Sequence, residues 1–324
     1  MSPPPNPPST LDQATRDLLA AYATAGRPPI HLSTPADARA AGARAWAPPG
    51  SGPAMREIAE YDVPSVDGAL RVRVLVPPQQ TGAVMIYLHG GGWVLGDIDG
   101  YDVLGRELAV RSGATVVLAN YRKAPEHPFP VPVEDAWAAL RWADARRELL
   151  AGHPDAPLSV GGDSAGGNLA AVTALRARDG GGPRIARQML VYPITDCDQT
   201  RPSYRDPANQ LLLGADTMAW FFDHYVGDGD RTHPEISPLR AADLSGLAPA
   251  TVVLAGHDPL HDEGRAYADR MAAAGVDVDI HTYPDQLHGF LQMVGVLPAS
   301  AQLLDLLGRQ IRATAGLATP GSAG

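Results

Sequence analysis

The chain has 324 residues, 45% of them hydrophobic and 19% charged, a balance that supports a sizeable buried core and excludes both a disordered chain and a small disulfide scaffold. Its length allows two domains or one large α/β domain with insertions. Lys plus Arg (26) against Asp plus Glu (36) leaves a net charge of −10, which repels phosphate backbones and anionic lipid surfaces, so neither nucleic acid nor a membrane is expected as a partner.

The N-terminus is an extended arm in which five of the first eight residues are proline (Pro3, Pro4, Pro5, Pro7, Pro8). It has neither a basic start nor an apolar stretch, and nowhere do about 18 apolar residues run together. With a single cysteine, Cys197, which cannot form an internal disulfide, the reading is a cytoplasmic protein. Ser9 or Thr10 is expected to cap a first helix whose apolar stripe is Leu11, Leu18, Leu19 and Tyr22. Thr34, Pro35 and Asp37 announce a second. Leu70, Val72, Val74 and Val76 then alternate as a half-buried antiparallel strand does. Continuous apolar runs follow at 83–88, 115–119, 158–160, 189–192 and 251–255, the pattern of buried parallel strands separated by helices. The segment from Thr195 to about Leu247 is long for a strand connection. In it Met218, Phe221, Phe222 and Tyr225 share one helical face, which can pack on the body, line an apolar pocket, or do both. Val276, Val278 and Ile280 make a last strand, and Leu303, Leu304, Leu306 and Leu307 a closing helix.

The strongest chemical signal is Gly162-Asp163-Ser164-Ala165-Gly166, placed directly after one strand and before a helical pattern. A serine in such a turn is forced into a strained backbone region with its hydroxyl exposed at a helix N-terminus. Alone the pattern also suits an ordinary glycine-rich turn. Support comes from His89-Gly90-Gly91-Gly92-Trp93 at the end of an earlier strand, where glycine amides can point at a developing oxyanion. A phosphate loop is the rival there, but no Gly-Lys-Ser/Thr follows and the spacing is not G-x-G-x-x-G. A serine hydroxyl needs a base and an acid that orients the base, in the chain order Ser, acid, His. Asp258 and His288 both follow late strands and fit; Asp262 and Glu263 are alternative acids that also suit a helix start. Asp163 is read as structural, and His89 as fixing its loop by hydrogen bonding. Pro259 between His257 and His261 argues against a helical pair of ligands, so no metal is expected.

These segments resemble the hormone-sensitive-lipase-like esterases, the bacterial family IV carboxylesterases of the α/β-hydrolase fold. The likeness is carried by residues 89–93, by Tyr121-Arg122-Lys123-Ala124-Pro125-Glu126-His127-Pro128-Phe129-Pro130, by residues 162–168, by Asp258-Pro259-Leu260 with Asp262-Glu263-Gly264, and by His288-Gly289-Phe290. It implies an α/β fold with a mostly parallel central sheet flanked by helices, and a helical cap. Residues 1–55 would form the arm and cap helices, 56–194 and 248–314 the catalytic domain, 195–247 a cap insertion, and 315–324 a flexible tail. It also implies Ser164 as nucleophile, His288 as base, Asp258 as its partner, and the amides of Gly91, Gly92 and Ala165 as the oxyanion hole. Trp93, Phe221 and Phe222 are the expected substrate contacts. The expected activity is hydrolysis of short- to medium-chain carboxylic esters through an acyl-enzyme, without a cofactor. An amidase, an aryl-acetyl deacetylase and a non-catalytic small-molecule receptor are the rival readings, and a homodimer is left open. Lys123 departs from the apolar residue usual in the family.

Overall fold

The computed structural model describes residues 8–26, 28–45 and 50–316. The proline arm through residue 7 and the tail from 317 lie outside them. Eight strands form one sheet: β1 (Glu57–Ser65), β2 (Gly68–Val76), β3 (Val84–Leu88), β4 (Thr115–Asn120), β5 (Leu158–Asp163), β6 (Gln188–Val191), β7 (Ala250–His257) and β8 (Val278–Leu287). The spatial order is β1-β2-β4-β3-β5-β6-β7-β8, with β2 antiparallel to β1 and β4, and all later pairings parallel.

Helices cover both faces, which is why the central strands read as unbroken apolar runs. On one face α4 (Val131–Asp144), α6 (Ala165–Asp179) and α9 (His261–Ala273) bury Leu140, Val172 and Met271 against Ile86, Val160 and Val252. On the other, α3 (Asp102–Ser112) and α10 (Pro298–Ala315) bury Leu108, Leu304 and Ile311 against Met85, Val116 and Val253. Alternate residues of each strand serve the two cores, as the two-residue period of a strand requires. A short helix α5 (Arg147–Ala151) precedes β5.

Two helices precede the sheet, α1 (Gln13–Thr24) and α2 (Pro35–Ala45), and two more, α7 (Pro202–Arg205) and α8 (Ala215–Tyr225), lie between β6 and β7. The cap of α1 differs from expectation: Asp12, not Ser9 or Thr10, accepts the Thr15 amide at 2.6 Å. Thr10 is already engaged, its hydroxyl donating to His257 Nε2 at 2.8 Å while the other ring nitrogen of His257 faces the Ala208 carbonyl. Thr34 accepts the Asp37 amide and donates to its carboxylate, as its sequence position predicts. One strand is added to those expected and another is displaced. β1 is mostly exposed and so shows no alternation of its own to be read. β8 begins two residues after Val276 and continues to Leu287, which delivers the chain directly to residue 288.

Candidate active site

Every residue of the expected constellation except those on α8 sits at the carboxyl end of a strand, where ligand sites of open α/β sheets gather. Ser164 follows β5 with φ 56° and ψ −117°, a left-handed conformation costly for a residue with a side chain. Glycine is obligatory on both sides of it. A Cβ on Gly162 would lie 2.2 Å from the Leu88 carbonyl oxygen, and one on Gly166 only 1.9 Å from the same atom. The turn is thus pressed against the end of β3, and α6 starts at once with Ala165.

Three side chains from distant parts of the sequence meet here. The Ser164 hydroxyl lies 3.0 Å from His288 Nε2, and His288 Nδ1 lies 2.8 Å from Asp258 Oδ2. Asp258 is fully buried and can only accept, so Nδ1 carries the proton and Nε2 is left as the acceptor for the serine hydroxyl. The second carboxylate oxygen of Asp258 accepts the Leu260 amide at 2.8 Å, fixing its rotamer. Tyr192 packs its ring against the imidazole, with centroids 4.7 Å apart. Asp262 and Glu263, the alternative acids, fall in the first turn of α9. There Asp262 accepts the Ser203 amide and Glu263 accepts those of Thr195 and Asp196.

The amides of Gly91, Gly92 and Ala165 meet no hydrogen-bond acceptor among the described residues. The glycine loop that presents two of them is tied down from behind. Tyr121 donates to the His89 carbonyl at 2.8 Å, and His89 Nδ1 donates to the Gly90 carbonyl at 2.8 Å. Burial drives the His89 imidazole down to a pKa of about 3, so it stays neutral and serves as a strut. The Gly90 amide reaches Asp163 Oδ1 at 3.1 Å and the Tyr101 hydroxyl at 3.0 Å. Asp163 is a hub: it also accepts from Tyr87 and Tyr101 (both 2.9 Å) and from Gln292 (2.7 Å), four residues after His288. Burial pushes its carboxyl up, and these donors pull it back.

Beside Ser164 and His288 opens a cavity of about 240 Å³. Of the expected substrate contacts, Phe221 lines it with Gly91 and Gly92, whereas Trp93 and Phe222 do not. Both are wholly buried, Trp93 stacking on Tyr225 at 4.2 Å and tilting against Phe222 at 5.5 Å. They form the packed layer behind the wall. The reason is helical spacing, since Phe221 and Phe222 are neighbours in sequence and point about 100° apart on α8. Leu212, Leu213 and Met293 also line the cavity, from loops that carry no periodic signal. A larger groove of about 420 Å³ at the opposite end of the strands contains none of these groups. Among the described residues no cluster of His, Cys, Asp and Glu could hold a metal, and no helix is long and apolar enough to cross a membrane.

Comparison with known proteins places this geometry. Residues 85–292 match the profile of the alpha/beta hydrolase fold family. Esterase LipI of Mycobacterium tuberculosis is 43% identical over 241 residues, 72% of this chain and 75% of that protein. The ethyl acetate hydrolase of Pseudomonas putida is 39% identical over 249 residues, 74% of this chain and 77% of that one. Among solved structures, an ester hydrolase from the metagenome of Lake Arreo shares 37% identity with a TM-score of 0.87, covering 94% of this chain and 99% of its own. An esterase of Pyrobaculum calidifontis shares 34% with a TM-score of 0.85 and the same coverage. The chain therefore belongs to the α/β-hydrolase fold family and, within it, to the hormone-sensitive-lipase-like esterases.

Proposed function

We propose that the protein is a serine carboxylesterase acting on short- to medium-chain esters, with Ser164 as nucleophile, His288 as general base and acid, and Asp258 holding the imidazole. The observation that carries the reading is the unbroken chain from Asp258 through His288 to Ser164, at 2.8 and 3.0 Å, beside three unengaged amides. Ser164 Oγ attacks the ester carbonyl while its proton passes to His288 Nε2; the resulting oxyanion is received by the amides of Gly91, Gly92 and Ala165. Collapse returns the proton to the leaving alkoxide, an alcohol departs, and water activated by His288 releases the acid in the same way. Asp258 stabilises the transient imidazolium.

The acyl-length preference is supported by a cavity smaller than the roughly 300–1,000 Å³ usual for larger ligands. We read α2 with the turn before it, and residues 195–247, as a cap over this site, since Ile30 and Arg39 from the first and Phe221 from the second reach its wall. A small ester as substrate, no nucleic-acid or membrane partner, and residence in the cytoplasm complete the proposal, in keeping with a net charge of −10. Ser164→Ala is expected to lower kcat on p-nitrophenyl butyrate by about 10⁴-fold or more. An organophosphate should label residue 164 in the parent, read by mass spectrometry. Parental turnover by the alanine variant would overturn the assignment.

A further inference from the structure

The cavity wall contains two cations in different states. Arg39, from α2, is paired: it uses four of its five donors, on the carbonyls of Val94 (2.8 Å) and Ala124 (2.7 Å) and on both oxygens of Glu126 (2.8 and 2.7 Å). Its charge is balanced, and Glu126 is held at a pKa of about 2 by it. Lys123 also lines the cavity. Its ammonium donates once, to the neutral side-chain oxygen of Asn120 at 3.2 Å, and no carboxylate stands within 4.0 Å of it among the described residues. Arg71 nearby is occupied with Asp99 and Glu60. Asp97, the carboxylate on the same wall, is capped by the Gly100 amide at 2.8 Å and stays beyond ion-pair reach.

A half-buried ammonium with donors to spare is costly unless something else balances it. Burial accordingly pulls Lys123 below its ordinary range; Asp97 and Glu126 oppose that shift, while Arg39 and Arg71 reinforce it. The neighbours thus leave a positive site unpaired inside a protein whose net charge is −10. An anionic group on the substrate would supply the missing acceptor through a charge-assisted hydrogen bond.

We propose that Lys123 is a specificity-determining residue that selects esters carrying a carboxylate on the acyl or alkoxy arm, its ammonium binding that carboxylate in the cavity next to Ser164. The inference rests on the esterase reading above. It is tested with two matched pairs that differ only in charge. Monoethyl adipate against ethyl 5-carbamoylpentanoate places the charge on the acyl arm, and 4-acetoxybutanoate against 4-acetoxybutanamide places it on the alkoxy arm. In at least one pair the parent is expected to favour the anion by about tenfold in kcat/KM at low salt. That preference should shrink at about 500 mM NaCl, as a partly exposed charge contact does. Lys123→Leu should cut the anion-to-amide ratio about tenfold, and Lys123→Arg should restore most of it.

A parental ratio at or below one in both pairs, with the amides still hydrolysed, overturns the role of Lys123 and leaves the esterase reading standing. An unchanged ratio in Lys123→Leu does the same. Failure of the parent on all four compounds and on p-nitrophenyl butyrate overturns both. Should the leucine variant not fold, the salt dependence of the parent and the ratio in Lys123→Arg decide the matter.

Discussion

The loops at the carboxyl ends of the strands and the segments proposed to cover them are held by different kinds of force. At the strand ends, backbone geometry and buried polar contacts dominate: a left-handed serine, glycines pressed on the Leu88 carbonyl, and a carboxylate shared by four donors. In the covering segments the ties are side-chain contacts, the Arg39 fork on residues 94–126 and the Phe222, Tyr225 and Trp93 stack under α8. The first kind fixes atoms whose positions the chemistry demands. The second fixes the wall of the cavity beside them. On the proposed mechanism, the first region would set rate and the second preference.

The two regions touch at Gly92, and the strongest way to break the distinction lies there. Its φ is 59°, and an added Cβ would lie 2.2 Å from the Phe221 ring. Gly92→Ala is expected to lower kcat on p-nitrophenyl butyrate about a hundredfold, by displacing an oxyanion donor. Adding Phe221→Ala should recover part of that loss by removing the steric conflict, though not the backbone strain. If the single variant stays within about twofold of the parent, the covering helix is not what holds the glycine loop in register.

An intermediate effect is expected at Glu263, which anchors the start of the 195–247 segment through the amides of Thr195 and Asp196. Burial pushes its carboxyl from the ordinary 4.5 up to about 8, those amides opposing the shift. The native state therefore keeps this proton to higher pH than the unfolded chain does. The stability it confers is complete below about pH 4.5 and is lost as pH rises through about 8. Glu263→Gln has no proton to lose. Its Tm relative to the parent should rise by roughly 3 °C between about pH 5 and about pH 9, a change on the order of 1 kcal/mol for a chain of this length. A Tm difference that is flat across that range would show that the segment is anchored without this carboxyl.

The smallest expected change is Arg39→Ala. The Arg39–Glu126 pair is partly exposed, with Glu126 56% accessible, so the lost ion pair costs at most about 1 kcal/mol. KM for p-nitrophenyl butyrate should rise about threefold with kcat within about twofold, the signature of a wall that binds without touching the reacting atoms. A large fall in kcat instead would mean that the covering segment also positions the catalytic groups.

The same division explains how much the sequence revealed. The strained turn at Ser164, the glycine loop and the meeting of Ser164, Asp258 and His288 were legible because each needs residue types that few other structures require at that spacing. The parallel strands were legible because burial on both faces leaves unbroken apolar runs. β1 was not, since a mostly exposed strand has little apolar alternation to show. The partners of Asp163 were hidden as well: Tyr101 and Gln292 lie 62 and 129 residues from it, and nothing local marks them. Trp93 and Phe222 were placed on the wall because aromatic residues near a cleft look alike in one dimension. Only the three-dimensional stack separates them from Phe221.

One carboxylate, Asp163, joins the glycine loop, the two tyrosines behind it and Gln292, four residues after His288. Shifting any of these alters the hydrogen-bond geometry available to the others, so their effects on turnover will not sum. Libraries meant to reshape this enzyme should accordingly diversify residues 89–96 and 288–293 together, with Phe221 and Phe222 included because they meet Gly92 and Trp93.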